Sequence, residues 1–223
     1  MRARKKEAER LEASLQDARD RSAALERELR AMRTSDSLAG LPVLAELTRR
    51  LGREAGAQSD VIAALTEALV ERDRYTGEHS ESVVDLVEAV ARGLALSASE
   101  VDHVKAAAVL HDIGKVAIPD SVLNKCGPLG DEEWKVMREH PVIGERILRA
   151  IPGMGPIARI VRHEHERFDG TGYPDGVAGQ AIPIGARIIL ACDAYHAMTS
   201  DRPYRRGMSH GEAVRELADH AGT

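Results

Sequence analysis

The chain has 223 residues, 43% of them hydrophobic but only 3% aromatic, and a formal net charge of −5. This is enough for one sizeable domain with an appendage, its core built from Leu, Val, Ile and Ala, which favours packed helices. The acidic balance excludes a global basic field for a nucleic-acid polymer or an anionic membrane, and no run approaches the roughly 18 apolar residues of a membrane span.

The basic start, MRARKKEAER, has no apolar run behind it and does not form a signal peptide. Cys126 and Cys192 are far apart and form no CxxC, which suits a reducing compartment; the cytoplasm is the expected location. In residues 1–33, apolar or small residues fall at Ala8, Leu11, Leu15, Ala18, Ser22, Leu25, Leu29 and Met32. Steps of three and four are a heptad seam, so this segment is predicted as a coiled coil and a homodimer is expected. Residues 34–42 break the pattern, and a short amphipathic helix is predicted over about 43–54.

From residue 60 the pattern is helical almost throughout. Helices are predicted over 61–73 and 79–96. Ser97 and Glu100 form a capping box that opens a helix running to about His111. A further helix runs from near Asp131 to His140, and Pro141 permits a new start for 142–151. Helices follow over 155–166, 183–200 and 210–220. No alternating strand pattern of any length and no internal repeat is present, so the fold class is all-α.

Nine histidines is a high count for this length. His103, His210 and His220 lie on polar helix faces, where solvent satisfies them. His111-Asp112 instead ends an apolar helix, where an imidazole and a carboxylate are costly unless paired or metal-bound. One such pair is more often a hydrogen-bonded core pair. His79, His140, His165 and Asp193 also sit at the ends or inside of apolar helices, and that number suggests convergence in one core. Oxygen and imidazole ligands without thiolates point to iron, manganese or zinc rather than a structural zinc knot. An Asp can bridge two ions, and two ions about 3.5–4 Å apart suit in-line attack on a phosphate ester. Lys115 could add positive charge beside the developing negative charge.

The stretches ERDRYTGEHSESV, VLHDIGKVAIPDSVLNK, MREHPVIGERIL, HERFDGTGYPDG, IPIGARII and TSDRPYR together resemble the HD-GYP domain, a branch of the HD metal-dependent phosphohydrolases. The resemblance covers roughly residues 60–223, leaving 34–59 as a linker. It implies an HD helical bundle with a C-terminal GYP loop. It also implies hydrolysis of the bacterial messenger cyclic di-GMP to linear pGpG, GMP or both. Carried over, the metal ligands are His79, His111, Asp112, His140, the position of Glu164, His165 and Asp193. Asp112 would bridge, and Lys115 would act at phosphate. Gly172, Tyr173 and Pro174 would wall the site and meet partner proteins, with Arg187, Arg202, Tyr204 and Arg205 near substrate or packed in the loop. Members with a third metal carry Glu at the position of Tyr75, so two divalent ions, iron or manganese, are expected.

The chain also departs from the pattern. Where members have two adjacent histidines, it has Glu164-His165, with His163 one position early. On a continuous helix one residue is a turn of about 100°, so His163 is not expected to substitute. Two readings of Glu164 stand: a competent ligand for iron or manganese, or a weakened second metal. His196 replaces the usual Asp of the pattern, and either a hydrogen bond to Asp193 or a packing role fits it. The end at residue 223 is short of the usual last helix, so a truncated domain is expected. Besides the cyclic di-GMP enzyme, two alternatives follow. One is a phosphohydrolase for another cyclic dinucleotide. The other is a catalytically weak module that binds nucleotide or protein.

Overall fold

A computed structural model describes residues 62–63, 65–67, 69, 76–201 and 206–223, with the side chains of 76–81 outside that set. The expected coiled coil at 1–33, the 34–59 linker, and Arg202, Tyr204 and Arg205 lie outside the described residues. Residues Leu41–Thr223 group as one compact unit, separate from Met1–Gly40. Among the described residues there is no strand, as the missing two-residue alternation predicts. The longer helices are α1 (Thr76–Gly93), α2 (Ala98–Leu110), α5 (His140–Arg149), α6 (Gly155–Arg162), α7 (Ile184–Thr199) and α8 (His210–Asp219); two short ones, α3 (Asp120–Leu123) and α4 (Asp131–Met137), lie between α2 and α5.

Helix α2 starts where the capping box places it. The Ser97 hydroxyl accepts from the Glu100 amide, and the Glu100 carboxylate accepts from the Ser97 amide at 2.8 Å. It is the central helix, packing against α1, α6 and α7. Val101, Val104, Ala107, Ala108 and Leu110 are all buried, which is why its sequence reads as apolar on most faces. Helix α5 packs on α6 and on a 3-10 turn, Ile113–Ala117, that follows α2.

The 3-10 turn approaches α5 so closely that a Cβ at Gly114 would lie 1.9 Å from the His140 carbonyl oxygen. Only a residue without a side chain lets His111-Asp112 meet the start of α5 at this separation. Gly114→Ala is therefore expected to destabilise the fold by about 1–3 kcal/mol, the usual cost of an overpacked core, or more because backbone must move. Urea unfolding checks this, and an unchanged midpoint would contradict the contact.

Several boundaries differ from the sequence reading; the helix expected over 79–96 runs from Thr76 to Gly93, and two further differences bear on the site. The helix expected over 131–140 ends at Met137, and α5 begins at His140 itself with Pro141 in its first turn. The proline fixes a helical φ and has no amide to leave unpaired there. The helix expected over 155–166 stops at Arg162, with His163 as its C-cap at φ −106° and ψ 11°. Residues 163–166 therefore form a turn, closed by the Glu166 amide donating to the His163 carbonyl. The rotation of about 100° per residue, used to set His163 aside, does not apply outside a helix.

Candidate metal centre

Three chain breaks bring the buried polar residues together: the end of α2, the start of α5 and the turn after α6. His111, Asp112, His140 and Glu164 are at most 6% exposed. The first two leave α2 into the 3-10 turn, His140 opens α5, and Glu164 and His165 lie in the 163–166 turn. His140 Nε2 is 3.6 Å from Asp112 Oδ1, 3.4 Å from Glu164 Oε1 and 3.1 Å from His165 Nε2. His111 Nε2 is 3.5 Å from Asp112 Oδ2, and Lys115 Nζ donates to that oxygen at 2.7 Å. One ligand atom each from His140, Glu164 and His165 lies within 4.8 Å of the others, as one ion requires.

The groups behind these residues point their ligand atoms inward. His111 Nδ1 is 2.7 Å from the Ala108 carbonyl, and His140 Nδ1 is 2.8 Å from the Met137 carbonyl. A carbonyl only accepts, so each ring carries its proton on Nδ1 and keeps the Nε2 lone pair for the centre. Burial lowers the His140 imidazole to about 4 and the His165 imidazole to about 3, so both are neutral donors at neutral pH. Burial also pushes the Glu164 carboxyl well above its usual range, and the Asp112 charge adds to this. Asp112 goes the other way. Burial would raise it, but His111 and Lys115 outweigh burial and hold it well below the usual carboxylate range. Lys115 also donates a hydrogen bond to Asp112, which adds to the lowering.

Both Glu164 side-chain oxygens are buried and make no hydrogen bond. A buried carboxylate without a donor is unstable by itself, and the His140 Nε2 lone pair lies 3.4 Å from it, with His165 Nε2 at 3.8 Å. Neutral imidazoles around an unpartnered carboxylate fit a divalent cation, which would supply the missing positive charge. Oxygen and nitrogen donors without thiolate suit a borderline-hard ion.

In the metal-free protein these shifts have a stability consequence. His140 and His165 resist protonation when folded but take protons near 6.5 when unfolded. The unfolded state thus binds more protons below 6.5, and stability falls as pH drops from there toward about 4. Denaturation of the metal-free protein across that window should show the decline, and a His140→Asn variant should show less of it. A slope unchanged by the variant would assign the decline elsewhere.

The other expected site residues separate into groups. His79 lies in the first turn of α1, and its side chain is outside the described residues. Asp193 is half-buried on α7, where its charge acts on both Glu164 and His165. His163 is turned out of the cluster, with Nε2 3.4 Å from Asp175 Oδ2. His196 contacts Ser200 Oγ at 3.1 Å. Arg187 reaches Gln180 at 3.4 Å, while its Nε is buried without a hydrogen bond.

Tyr173 stacks on His165, ring centroids 4.8 Å apart, and its amide donates to the His165 carbonyl. A Cβ at Gly172 would lie 2.3 Å from the Arg167 amide nitrogen, so glycine is what lets the loop press against the 165–167 backbone. Sequence reasoning gave no role to three residues that hold this loop. Buried Glu166 accepts from the Asp175 and Gly176 amides at 2.6 and 3.0 Å. Arg162 grips both Asp175 oxygens at 2.7 Å and Glu145 at 2.6 Å. The Arg138 guanidinium lies 5.3 Å from the Tyr173 ring centroid and 5.9 Å from that of Trp134. An acid just before a Gly/Pro loop was the available signal for Glu166. For the two arginines the sequence carried none.

A helical bundle with a His-Asp pair between two helices defines the class. The family model described as "HD domain" matches residues 57–223. The chain belongs to the HD-domain family. It is similar to a protein of Pseudomonas aeruginosa named cyclic di-GMP phosphodiesterase, at 44% identity over 67% of this chain and 36% of that one. It is also similar to a 3'3'-cGAMP-specific phosphodiesterase of Vibrio cholerae, at 34% identity over 73% of this chain and 35% of that one. A solved HDG"Y"P protein from Bdellovibrio bacteriovorus shares the fold with TM-score 0.52 at 16% identity, covering 91% of this chain and 65% of that one. The chain thus spans little more than a third of the length of these two curated relatives. Among the described residues no helix is long and apolar enough to cross a membrane.

Proposed function

We propose that this chain is a metal-dependent phosphodiesterase that opens cyclic di-GMP to linear pGpG, GMP or both, in the bacterial cytoplasm. The observation that carries this reading is Glu164, a buried carboxylate with no donor, facing two imidazoles beside the His111-Asp112 pair. The name of the P. aeruginosa relative supplies the substrate class.

In this reading His111, Asp112, His140, Glu164 and His165, with His79 and Asp193, hold two divalent ions, iron or manganese. The ions would supply positive charge to the phosphoryl oxygens and lower the pKa of a water molecule. The protein's own groups do the rest. Asp112 stays ionised beside Lys115 and spans from His111 to His140, which suits a bridging role. The Lys115 ammonium is only part-buried, so it can reach a phosphate oxygen from its place on Asp112 and offset charge gathering there. Tyr173, fixed between His165 and Arg138, closes one wall of the site. The loop around Gly172, Tyr173 and Pro174 is also the surface offered to protein partners, and the 1–33 seam would pair two chains.

Turnover decides the matter. Protein produced with iron and manganese under low oxygen should convert cyclic di-GMP to pGpG or GMP, followed by chromatography, and Asp112→Ala should not. Conversion of 3'3'-cGAMP in preference would reassign the substrate, a reading favoured by the name of the V. cholerae relative. No product, with fewer than two ions bound per chain, would favour the catalytically weak binding module and point to Glu164 as the cause.

A further inference from the structure

Away from the metal centre, a cleft of about 530 Å³ opens between α5 and α6, lined by Arg146, Arg149, Arg159 and Arg162 with Val142 and His163. Its size falls within the range of about 300–1,000 Å³ typical of small-molecule sites. Four arginines converge there in a chain whose net charge is −5, and Glu145 is the only acid in the lining. Glu145 is already shared by Arg149 at 2.9 Å and Arg162 at 2.6 Å. Arg146 and Arg159 are exposed, and neither has an acidic partner among the described residues. Two guanidinium forks on facing helices, without an acidic partner among the described residues, match the oxygens of a phosphate, which arginine binds bidentately. Arg162 shows the same geometry in use, with Nε and Nη2 each 2.7 Å from one oxygen of Asp175.

We propose that this cleft binds the phosphomonoester of a mononucleotide-sized ligand, and that the ligand competes with Asp175 for Arg162 and so loosens the 172–176 loop. A phosphate dianion carries twice the charge of the Asp175 carboxylate and can also engage Arg146 and Arg159. Val142 and the flat guanidinium faces offer an apolar and stacking surface to a base. The link to the loop is short. Asp175 follows Pro174 directly, and its amide is one of the two held by Glu166. None of the residues assigned above to the metal centre lines the cleft, so the site stands or falls apart from the reaction proposed for that centre.

The probe is GMP, titrated calorimetrically into the full chain, with guanosine as the phosphate-free control. Arg146→Ser/Arg159→Ser should weaken binding about 10-fold or more, the effect of removing charge-assisted hydrogen bonds. Asp112→Asn should leave the affinity unchanged, guanosine should not bind, and added salt should weaken GMP. Trp134 is the sole tryptophan and shares Arg138 with Tyr173, so its emission should change on saturation of the unmutated protein. Equal affinity in the double variant overturns the site, as does loss of binding in Asp112→Asn, which would place GMP at the metal centre. Binding of an oligo-aspartate peptide without binding of GMP would overturn the nucleotide reading in favour of an acidic protein segment. Saturation without a change in Trp134 emission overturns the coupling to the loop.

Discussion

Glu164→Gln is expected to stabilise the metal-free protein near neutral pH and, in the same variant, to weaken its hold on metal. The two effects share one cause. Glu164 is 1% exposed, neither of its oxygens accepts a hydrogen bond, and burial disfavours its charged form. Its folded-state pKa is raised, so the folded state binds the extra proton and stability falls as pH rises above the ordinary carboxyl value of 4.5. Gln removes the charge at nearly constant volume, and its amide can donate to the His140 Nε2 lone pair now 3.4 Å from Oε1. A gain of about 1–3 kcal/mol is expected, the scale of a buried polar group left unpaired. The same change removes an anionic ligand. Metal affinity should fall by more than the roughly 10–100-fold typical of changes behind the ligands. Urea unfolding of stripped protein and metal content after dialysis measure the two independently. Lost stability with unchanged metal content would make Glu164 a structural acid rather than a ligand.

Glu166→Ala has the second large expected effect, and it acts on the loop. Glu166 Oε1 takes the Asp175 and Gly176 amides into a carboxylate that is itself 1% exposed. Alanine leaves both donors without an acceptor and opens a cavity beneath the loop. Each hydrogen bond to a charged group contributes about 1.5–3 kcal/mol, so a loss of roughly 3 kcal/mol is expected even after partial relaxation. The loop should then become more open to limited proteolysis, because Arg162 on Asp175 and the Gly172 and Tyr173 contacts with 165–167 are the ties that remain. Glu166→Gln keeps one acceptor oxygen and should recover part of the stability. An unchanged cleavage pattern in the alanine variant would show that the Gly172 contact and Arg162 suffice.

The sequence made much of the fold legible where local chemistry decides it. The Ser97 and Glu100 box marked the start of α2, and Pro141 marked the entry to α5. The His111-Asp112 pair was conspicuous because charge at the end of an apolar helix has few inexpensive explanations. Periodicity was less informative at the end of α6. The pattern from Gly155 to Glu166 stays compatible with a helix, yet the chain leaves the helix at Arg162. The competing term is non-local: the loop closes on 165–167, and Glu166 is drawn to amides nine and ten residues away.

By itself the sequence determined an all-helical HD-type domain, its main helix starts and a set of imidazole and carboxylate groups suited to metal. Those properties follow from side-chain type, spacing and capping, which act over a few residues. Tertiary structure decided which polar residues face which way. It turned Glu164 into the centre and His163 out to Asp175, and assembled four arginines from two helices into one cleft. These outcomes depend on where the α6 turn meets the loop and on how closely Gly114 and Gly172 let backbone approach backbone. Gly114 meets His140, far along the chain, so no short window of sequence contains both sides of that contact.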